Sequence, residues 1–251
     1  LTAVDGVVLG RAAGNASTFI YVKGGSLSLE NVIVDGKDVP SGYPAAYVAS
    51  GATLRLGEGS VVRNNCNDYS GQCYGGGVYN NGAFTMTGGT IGDNEVTSTT
   101  YGKGGGIYSQ GALTIAAGDG DAPLIEGNSA SVSGGGVYST GVTNLSGGTV
   151  SGNVNGGVFV DVADVAKKVE VSGLTITGTT GSYPALRCGT LGDALVSGCA
   201  ITGNDVSGNV VEVSKMSGTI TATLQPAAEA AVKRIVDTEI SGNHAVVAGY
   251  G

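Results

Sequence analysis

The chain has 251 residues, of which 47 are glycine and only 13% are charged. Five prolines and glycines without a three-residue period exclude collagen, and 41% hydrophobic residues argue against disorder. A net charge of −8 offers no basic surface to a phosphate backbone, so no nucleic-acid partner is expected. No apolar run reaches about 18 residues, so we expect no direct membrane span in this part of the protein.

Residues 1–17 carry no repeat signature, and we predict that they cap the first coil of a repetitive fold. Two less regular units follow, each with short apolar alternations divided by glycine, asparagine or serine. Residues 66–74, bracketed by two cysteines, interrupt the pattern as a predicted insertion. A second insertion is predicted at 225–235, within an alanine-rich stretch.

Three clear repeats stand in the middle of the chain. Gly-Gly-Gly-aliphatic-Tyr openers begin at residues 75, 104 and 134, so they are 29 and 30 residues apart. Each repeat closes on an aliphatic residue three positions before an asparagine, as Ile91 stands before Asn94. Self-similarity at a period of about 20–50 residues is typical of solenoids and arrays.

Each unit contains three short runs of period-two alternation separated by turn residues, which predicts three short strands per coil. We therefore predict an all-β fold, a single-stranded right-handed parallel β-helix of about eight coils, with residues 1–251 forming one domain. A β-sandwich is the structural alternative. Because the chain starts at Leu1 without an initiator methionine and stops inside another apparent opener, we interpret it as a fragment of a longer protein.

Two aliphatic columns should hold such a fold together, because equivalent residues of successive coils stack. The openers place Val78, Ile107, Val137 and Val158 in one column. The closers would form the second column: Val62, Ile91, Ile125, Val150, Ile176, Ile201 and Ile240. A row of asparagines follows the closers, with Thr179 in place of one member: Asn65, Asn94, Asn128, Asn153, Asn204 and Asn243. Asparagine tolerates left-handed backbone and its amide can bond a neighbouring turn, so we interpret this row as structural.

The pattern resembles the right-handed parallel β-helix repeats of bacterial surface proteins, the pectin-lyase-like architecture. It is most similar to the repeats of polymorphic outer-membrane proteins, which pair a Gly-Gly-Ala-aliphatic opener with a Phe-x-x-Asn closer. Here Gly77, Gly106 and Gly136 replace the alanine, and isoleucine or valine replaces the phenylalanine. The resemblance covers roughly residues 18–250 and implies the fold, whereas proteins with this fold include adhesins, lyases, hydrolases and tailspikes.

The sequence offers no catalytic constellation at equivalent positions of successive coils, so we expect no enzymatic activity. The best acidic cluster is Asp119, Asp121 and Glu126, which could present oxygens to Ca²⁺ or could belong to an ordinary Asp-Gly turn. No other cofactor is expected.

Four cysteines in a chain suited to the outside of a cell suggest two disulfides. Cys66 and Cys73 bracket the insertion, while Cys188 and Cys199 share the inward parity of their aliphatic neighbours. We favour the pairs Cys66–Cys73 and Cys188–Cys199, and buried free thiols are the alternative.

If the opener aliphatics point inward, parity puts an aromatic row on the outside: Tyr79, Tyr108, Tyr138 and Phe159. An exposed row of rings could bind a glycan or protein, or the rings could stack only on one another. Together with the missing catalytic constellation, the resemblance implies a non-catalytic extracellular module on a bacterial cell surface, which would adhere to a host or environmental glycan or protein. The alternative function is a polysaccharide lyase or glycoside hydrolase of the same fold.

Overall fold

The protein is a parallel β-helix of about seven turns, described by a computed structural model over residues 2–214 and 233–245. All strand pairs in these two ranges are parallel, and the ranges contain no helix. The predicted all-β fold class is confirmed. The eighth unit predicted from the sequence crosses residues 215–232, which lie outside the described ranges together with most of the predicted insertion at 225–235. Residues 233–235 of that insertion belong to a strand.

The strands, numbered β1 to β30 in chain order, fall on three long faces and one short one. The first face carries the openers: β2 (Ile20–Val22), β4 (Ala46–Val48), β8 (Val78–Asn80), β12 (Ile107–Ser109), β16 (Val137–Ser139), β19 (Val158–Val162), β23 (Leu186–Thr190) and β27 (Val211–Ser214). The second face consists of the start of β3 (Ser26–Asp35), β5 (Thr53–Leu56), β9 (Ala83–Met86), β13 (Ala112–Ala116), β17 (Thr143–Ser146), β20 (Val169–Ser172), β24 (Ala194–Ser197) and β28 (Lys233–Val236).

The third face carries the closers: β1 (Thr2–Gly10), the end of β3, β6 (Val61–Arg63), β10 (Thr90–Gly92), β14 (Leu124–Glu126), β18 (Thr149–Ser151), β21 (Thr175–Thr177), β25 (Ala200–Thr202) and β29 (Glu239–Ser241). Two-residue strands pair at the turn after the closers: β7 (Cys66–Asn67), β11 (Glu95–Val96), β15 (Ser129–Ala130), β22 (Thr180–Gly181), β26 (Asp205–Val206) and β30 (His244–Ala245). Strand β1, in the predicted N-terminal cap, pairs in parallel with β3.

Both predicted aliphatic columns exist. The four opener aliphatics are fully buried and in register, and so are six of the seven closers. Ile240 pairs with Ile201 but remains 47% exposed, because no further described coil lies against it. Each buried aliphatic contributes about 1.5–3 kcal/mol, so these columns account for much of the stability of the fold.

The asparagine row forms a hydrogen-bonded ladder inside the turn after the closers. The Oδ1 atom of Asn128 accepts a bond from the backbone N–H of Asn94 (3.0 Å), and its Nδ2 donates to the carbonyl oxygen of Ile91 (2.9 Å). Asn153 acts in the same way one coil further on, since its Oδ1 accepts a hydrogen bond from the backbone N–H of Asn128 (2.9 Å). Each side chain therefore fastens its own coil to the preceding one.

The ladder is interrupted at one coil. The backbone N–H of Thr179 donates a hydrogen bond to the Oδ1 of Asn204 (2.9 Å), but the Oγ1 of Thr179 is buried without a hydrogen-bond partner. The structural interpretation of the row is confirmed, with one change. The left-handed backbone conformation belongs to the residue before each asparagine and not to the asparagine itself. Asp93 (φ 53°) and Gly127 (φ 61°) hold this position.

Glycine is needed in the openers because atoms of the next coil lie close to the backbone there. Gly104 adopts φ 70°, which favours glycine. A Cβ atom on Gly106 would lie 2.6 Å from the carbonyl oxygen of Gly136 and 3.0 Å from the Nδ2 atom of Asn128. The glycine that stands where the resemblance has alanine thus leaves room for the ladder asparagine.

Candidate functional site

The aromatic row lies outside the aliphatic core, as parity predicts, and it extends further than the sequence analysis recognised. The rings are in register on the first face and form an aromatic ladder of six members: Tyr21, Tyr47, Tyr79, Tyr108, Tyr138 and Phe159. Tyr21 and Tyr47 were missed, although each follows an inward residue of an opener strand as Tyr79 follows Val78. Beyond Phe159 the same register position is held by Arg187, whose guanidinium lies 4.5 Å from the Phe159 ring centre.

The predicted exposure of the row is wrong for three of its four members. Tyr108, Tyr138 and Phe159 are only 5%, 3% and 4% exposed, and neighbouring rings in this part of the ladder stack within 12° of parallel. Tyr79, the fourth member, is half-buried. The row is therefore in large part a second, external hydrophobic cluster rather than a free surface.

Side chains from the adjoining turns cover these rings. Tyr74 stacks on Tyr108 with ring centres 4.4 Å apart, and Tyr183 contacts the edge of Phe159. Lys103 lies over Tyr138 and donates a hydrogen bond from Nζ to its hydroxyl oxygen (3.1 Å). Burial raises the pKa of both Tyr108 and Tyr138, because a phenolate would lose its hydration there.

The other end of the ladder opens into a groove of about 780 Å³. Six of its lining residues are tyrosines, here called the tyrosine groove: Tyr21, Tyr43, Tyr47, Tyr69, Tyr74 and Tyr79. The remaining lining residues carry no charge: Ser17, Thr18, Gly42, Pro44, Asn67 and Gln72. A volume of this size lies within the range of about 300–1,000 Å³ that is typical of ligand pockets.

Residues 68–73, which carry no strand, form one wall of the groove. Two hydrogen bonds hold this wall in place. Cys73 donates from Sγ to the carbonyl oxygen of Asn67 (3.1 Å), and Ser98 donates from Oγ to the carbonyl oxygen of Gly71 (2.9 Å). Asn67 in turn donates from Nδ2 to the carbonyl oxygen of Gly75 (3.1 Å). The groove is therefore held in shape without a ligand, as most small-molecule sites are.

The rings in the groove are less constrained than those under cover. Tyr21 is 56% exposed and meets Tyr47 at 89°, and Tyr47 meets Tyr79 at 45°. Hydroxyl groups at the groove are already positioned, since Asn81 donates from Nδ2 to the hydroxyl oxygen of Tyr47 (2.8 Å). The arrangement offers apolar ring faces together with hydrogen-bonding hydroxyl and amide groups.

The other predicted sites are not assembled. Over residues 2–214 and 233–245, no group of three or more His, Cys, Asp or Glu side chains could hold a metal ion, so Asp119, Asp121 and Glu126 are not brought together as a site. The same part of the chain contains no helix long and apolar enough to cross a membrane.

The predicted disulfides are also absent, because all four cysteines are free thiols. The inward parity of Cys188 and Cys199 is confirmed by their burial. Cys73 and Cys199 instead direct their Sγ atoms to backbone carbonyl oxygens, those of Asn67 and Ser197. Burial raises the pKa of Cys188 to about 12 and that of Cys66 to about 11.

Comparison of the chain with protein-family models, with curated proteins and with solved structures finds no significant match. The structure supports the broad part of the resemblance, a parallel β-solenoid, and the narrower relationship to bacterial adhesins rests on the repeat pattern alone.

Proposed function

We propose that this chain is a non-catalytic, extracellular β-helix module of a bacterial surface protein and that it binds a glycan in the tyrosine groove. The observation that carries the proposal is the concentration of six of the eleven tyrosines of the chain around one preformed groove. The β-helix acts as a rigid stalk, and the groove lies near its N-terminal end.

The chemistry of the groove suits a sugar better than a purely apolar ligand. A pyranose ring has an apolar face of C–H groups, which stacks on an aromatic ring, and a rim of hydroxyls. The tyrosine hydroxyls and the exposed side chain of Gln72 provide donors and acceptors for that rim. The ladder rings of Tyr21, Tyr47 and Tyr79 are spaced 5.0 Å from centre to centre, so an extended chain could contact several of them in turn.

The proposed glycan contacts lie at the open end of the aromatic ladder rather than along its whole length. Tyr108, Tyr138 and Phe159 are covered, so their part in ligand binding is at most to support the open end. Tyr21 and Tyr47 become the principal contacts, with Tyr79 at the boundary between the two parts.

The test is isothermal titration with hexasaccharides of glucose, xylose, mannose and galacturonic acid. We expect at least one of them to bind, and we expect the Tyr21→Ala/Tyr47→Ala variant to lose about tenfold or more in affinity, corresponding to about 1.4 kcal/mol. Tyr101→Ala is the matched control, because Tyr101 is an exposed tyrosine outside the groove. Binding of none of the four, or an equal loss in both variants, would refute the proposal.

The same samples also test the enzymatic alternative. Each hexasaccharide is incubated with the protein and analysed for shorter products by chromatography. Cleavage of any of them would replace the binding module by a lyase or hydrolase.

A further inference from the structure

The charge distribution around the tyrosine groove indicates which glycans it accepts, an inference that rests on the proposed function. We infer that the tyrosine groove takes an uncharged glycan and discriminates against uronate and other acidic glycans.

The first support is the lining itself. None of the twelve lining residues is a lysine, arginine, aspartate or glutamate. Recognition of a carboxylate or sulfate in a protein normally uses an arginine fork, a lysine or a helix N-terminus. The described ranges contain no helix, and the lining provides neither of the two cations.

The second support is the acidic neighbourhood of the groove. Asp68 follows the lining residue Asn67 and is exposed, and its Oδ1 would lie 3.8 Å from a Cβ atom on Gly42, another lining residue. Burial is the main cause of the raised pKa of Cys66, and the carboxylates of Glu95, Asp68 and Asp38 act in the same direction. A uronate entering the groove would therefore meet negative charge of its own sign.

Two cations lie on this side of the protein, and Lys23 is beside the groove because the ring that it covers, Tyr21, belongs to the lining. Lys23 lies over the Tyr21 ring with its Nζ 5.4 Å from the ring centre, and Arg11 lies over Phe19. The Arg11 guanidinium also donates to the Oδ1 of Asn65 (2.6 Å) and is almost completely buried. Neither side chain lines the groove.

The experiment compares one neutral and one acidic ligand of equal length, the neutral hexasaccharide that binds best and hexagalacturonate. We expect the neutral ligand to bind about tenfold or more tightly at low salt. We expect the gap to narrow at high salt, because screening weakens the repulsion from the carboxylates.

Addition of a positive charge at the rim sharpens the test. Gln72 is an exposed lining residue, and Gln72→Lys should improve the affinity for hexagalacturonate several-fold relative to the affinity for the neutral ligand. Val165→Lys is the control, because it adds the same charge at an exposed position outside the groove.

The possible results separate this inference from the proposed function. If hexagalacturonate binds as tightly as the neutral ligand and Tyr21→Ala/Tyr47→Ala abolishes both, the groove binds glycans and the charge inference is wrong. If neither ligand binds, the proposed function itself fails. An equal gain for the Gln72→Lys and Val165→Lys variants would show that net charge, not the groove, determines the preference.

Discussion

The two ends of the aromatic ladder have the same strand register but different surroundings. At the covered end, Tyr108, Tyr138 and Phe159 stack nearly parallel beneath side chains from the turns. At the open end, Tyr21 and Tyr47 meet edge to face and border a groove. Repetition of one residue type on one face therefore does not assign one role, because the turns decide which rings are buried.

The largest expected effect is a difference in stability between alanine variants at the two ends of the aromatic ladder. Tyr138→Ala removes a ring packed between Tyr108 and Phe159 and should lower the free energy of unfolding by about 3–5 kcal/mol. Tyr47→Ala at the open end should cost about 1 kcal/mol or less. Urea denaturation measures both, and equal losses would show that the two ends do not differ in packing.

A smaller effect is expected when the cover itself is removed. Tyr74 stacks on Tyr108 at 4.4 Å, so Tyr74→Ala should destabilise the protein by about 1–2 kcal/mol. Tyr101→Ala, a change of the same kind at an exposed tyrosine, serves as control. If both variants lost the same stability, the parallel stack would contribute nothing of its own.

Alkaline pH should weaken the covered end. Burial raises the pKa of Tyr108 in the folded protein, whereas a free tyrosine ionises at about pH 10. Between these two pKa values the unfolded chain has released the proton of this tyrosine and the folded chain still holds it. Stability is therefore unaffected by this group below about pH 10 and falls above it. In denaturation curves at pH 8 and pH 11, Tyr108→Phe should cost less than about 1 kcal/mol at pH 8 and reduce the loss at pH 11. An unchanged loss in the variant would contradict the assignment.

The last expected effect is a gain of stability, at a site that leaves both ends of the aromatic ladder unchanged. Thr179→Asn should restore the missing bond to the neighbouring coil and add about 0.5–1.5 kcal/mol of stability. Gly157 faces Thr179 as Gly106 faces Asn128, so the longer side chain has room. A lower melting temperature would mean that the turn at Thr179 differs in shape from its neighbours.

The sequence was sufficient for the fold because buried columns require the same parity in every coil. Val78, Ile107 and Val137 could be aligned from their spacing alone, and the asparagine ladder followed at a fixed distance from the closers. The burial of Tyr108 could not be predicted in this way. Its cover comes from Tyr74, on a turn of irregular length whose direction no repeat period specifies.

The cysteines illustrate the same limit. Parity correctly placed Cys188 and Cys199 on the inside, but it does not determine whether two sulfur atoms meet. The groove was missed because Tyr43 and Tyr69 lie in turns. A search for tyrosines beyond the repeats, in the turns that adjoin the first face, would have suggested it.

The break in the asparagine ladder has a consequence for how the protein unfolds. In a solenoid, stability is close to a sum over coils and nearest-neighbour interfaces. The interface between the coil of Asn153 and the coil of Thr179 lacks the hydrogen bond from a backbone N–H to an asparagine Oδ1 that other interfaces have. We therefore expect this interface to be about 0.5–1.5 kcal/mol weaker than one closed by an asparagine. Separation of neighbouring coils under load or denaturant should begin there.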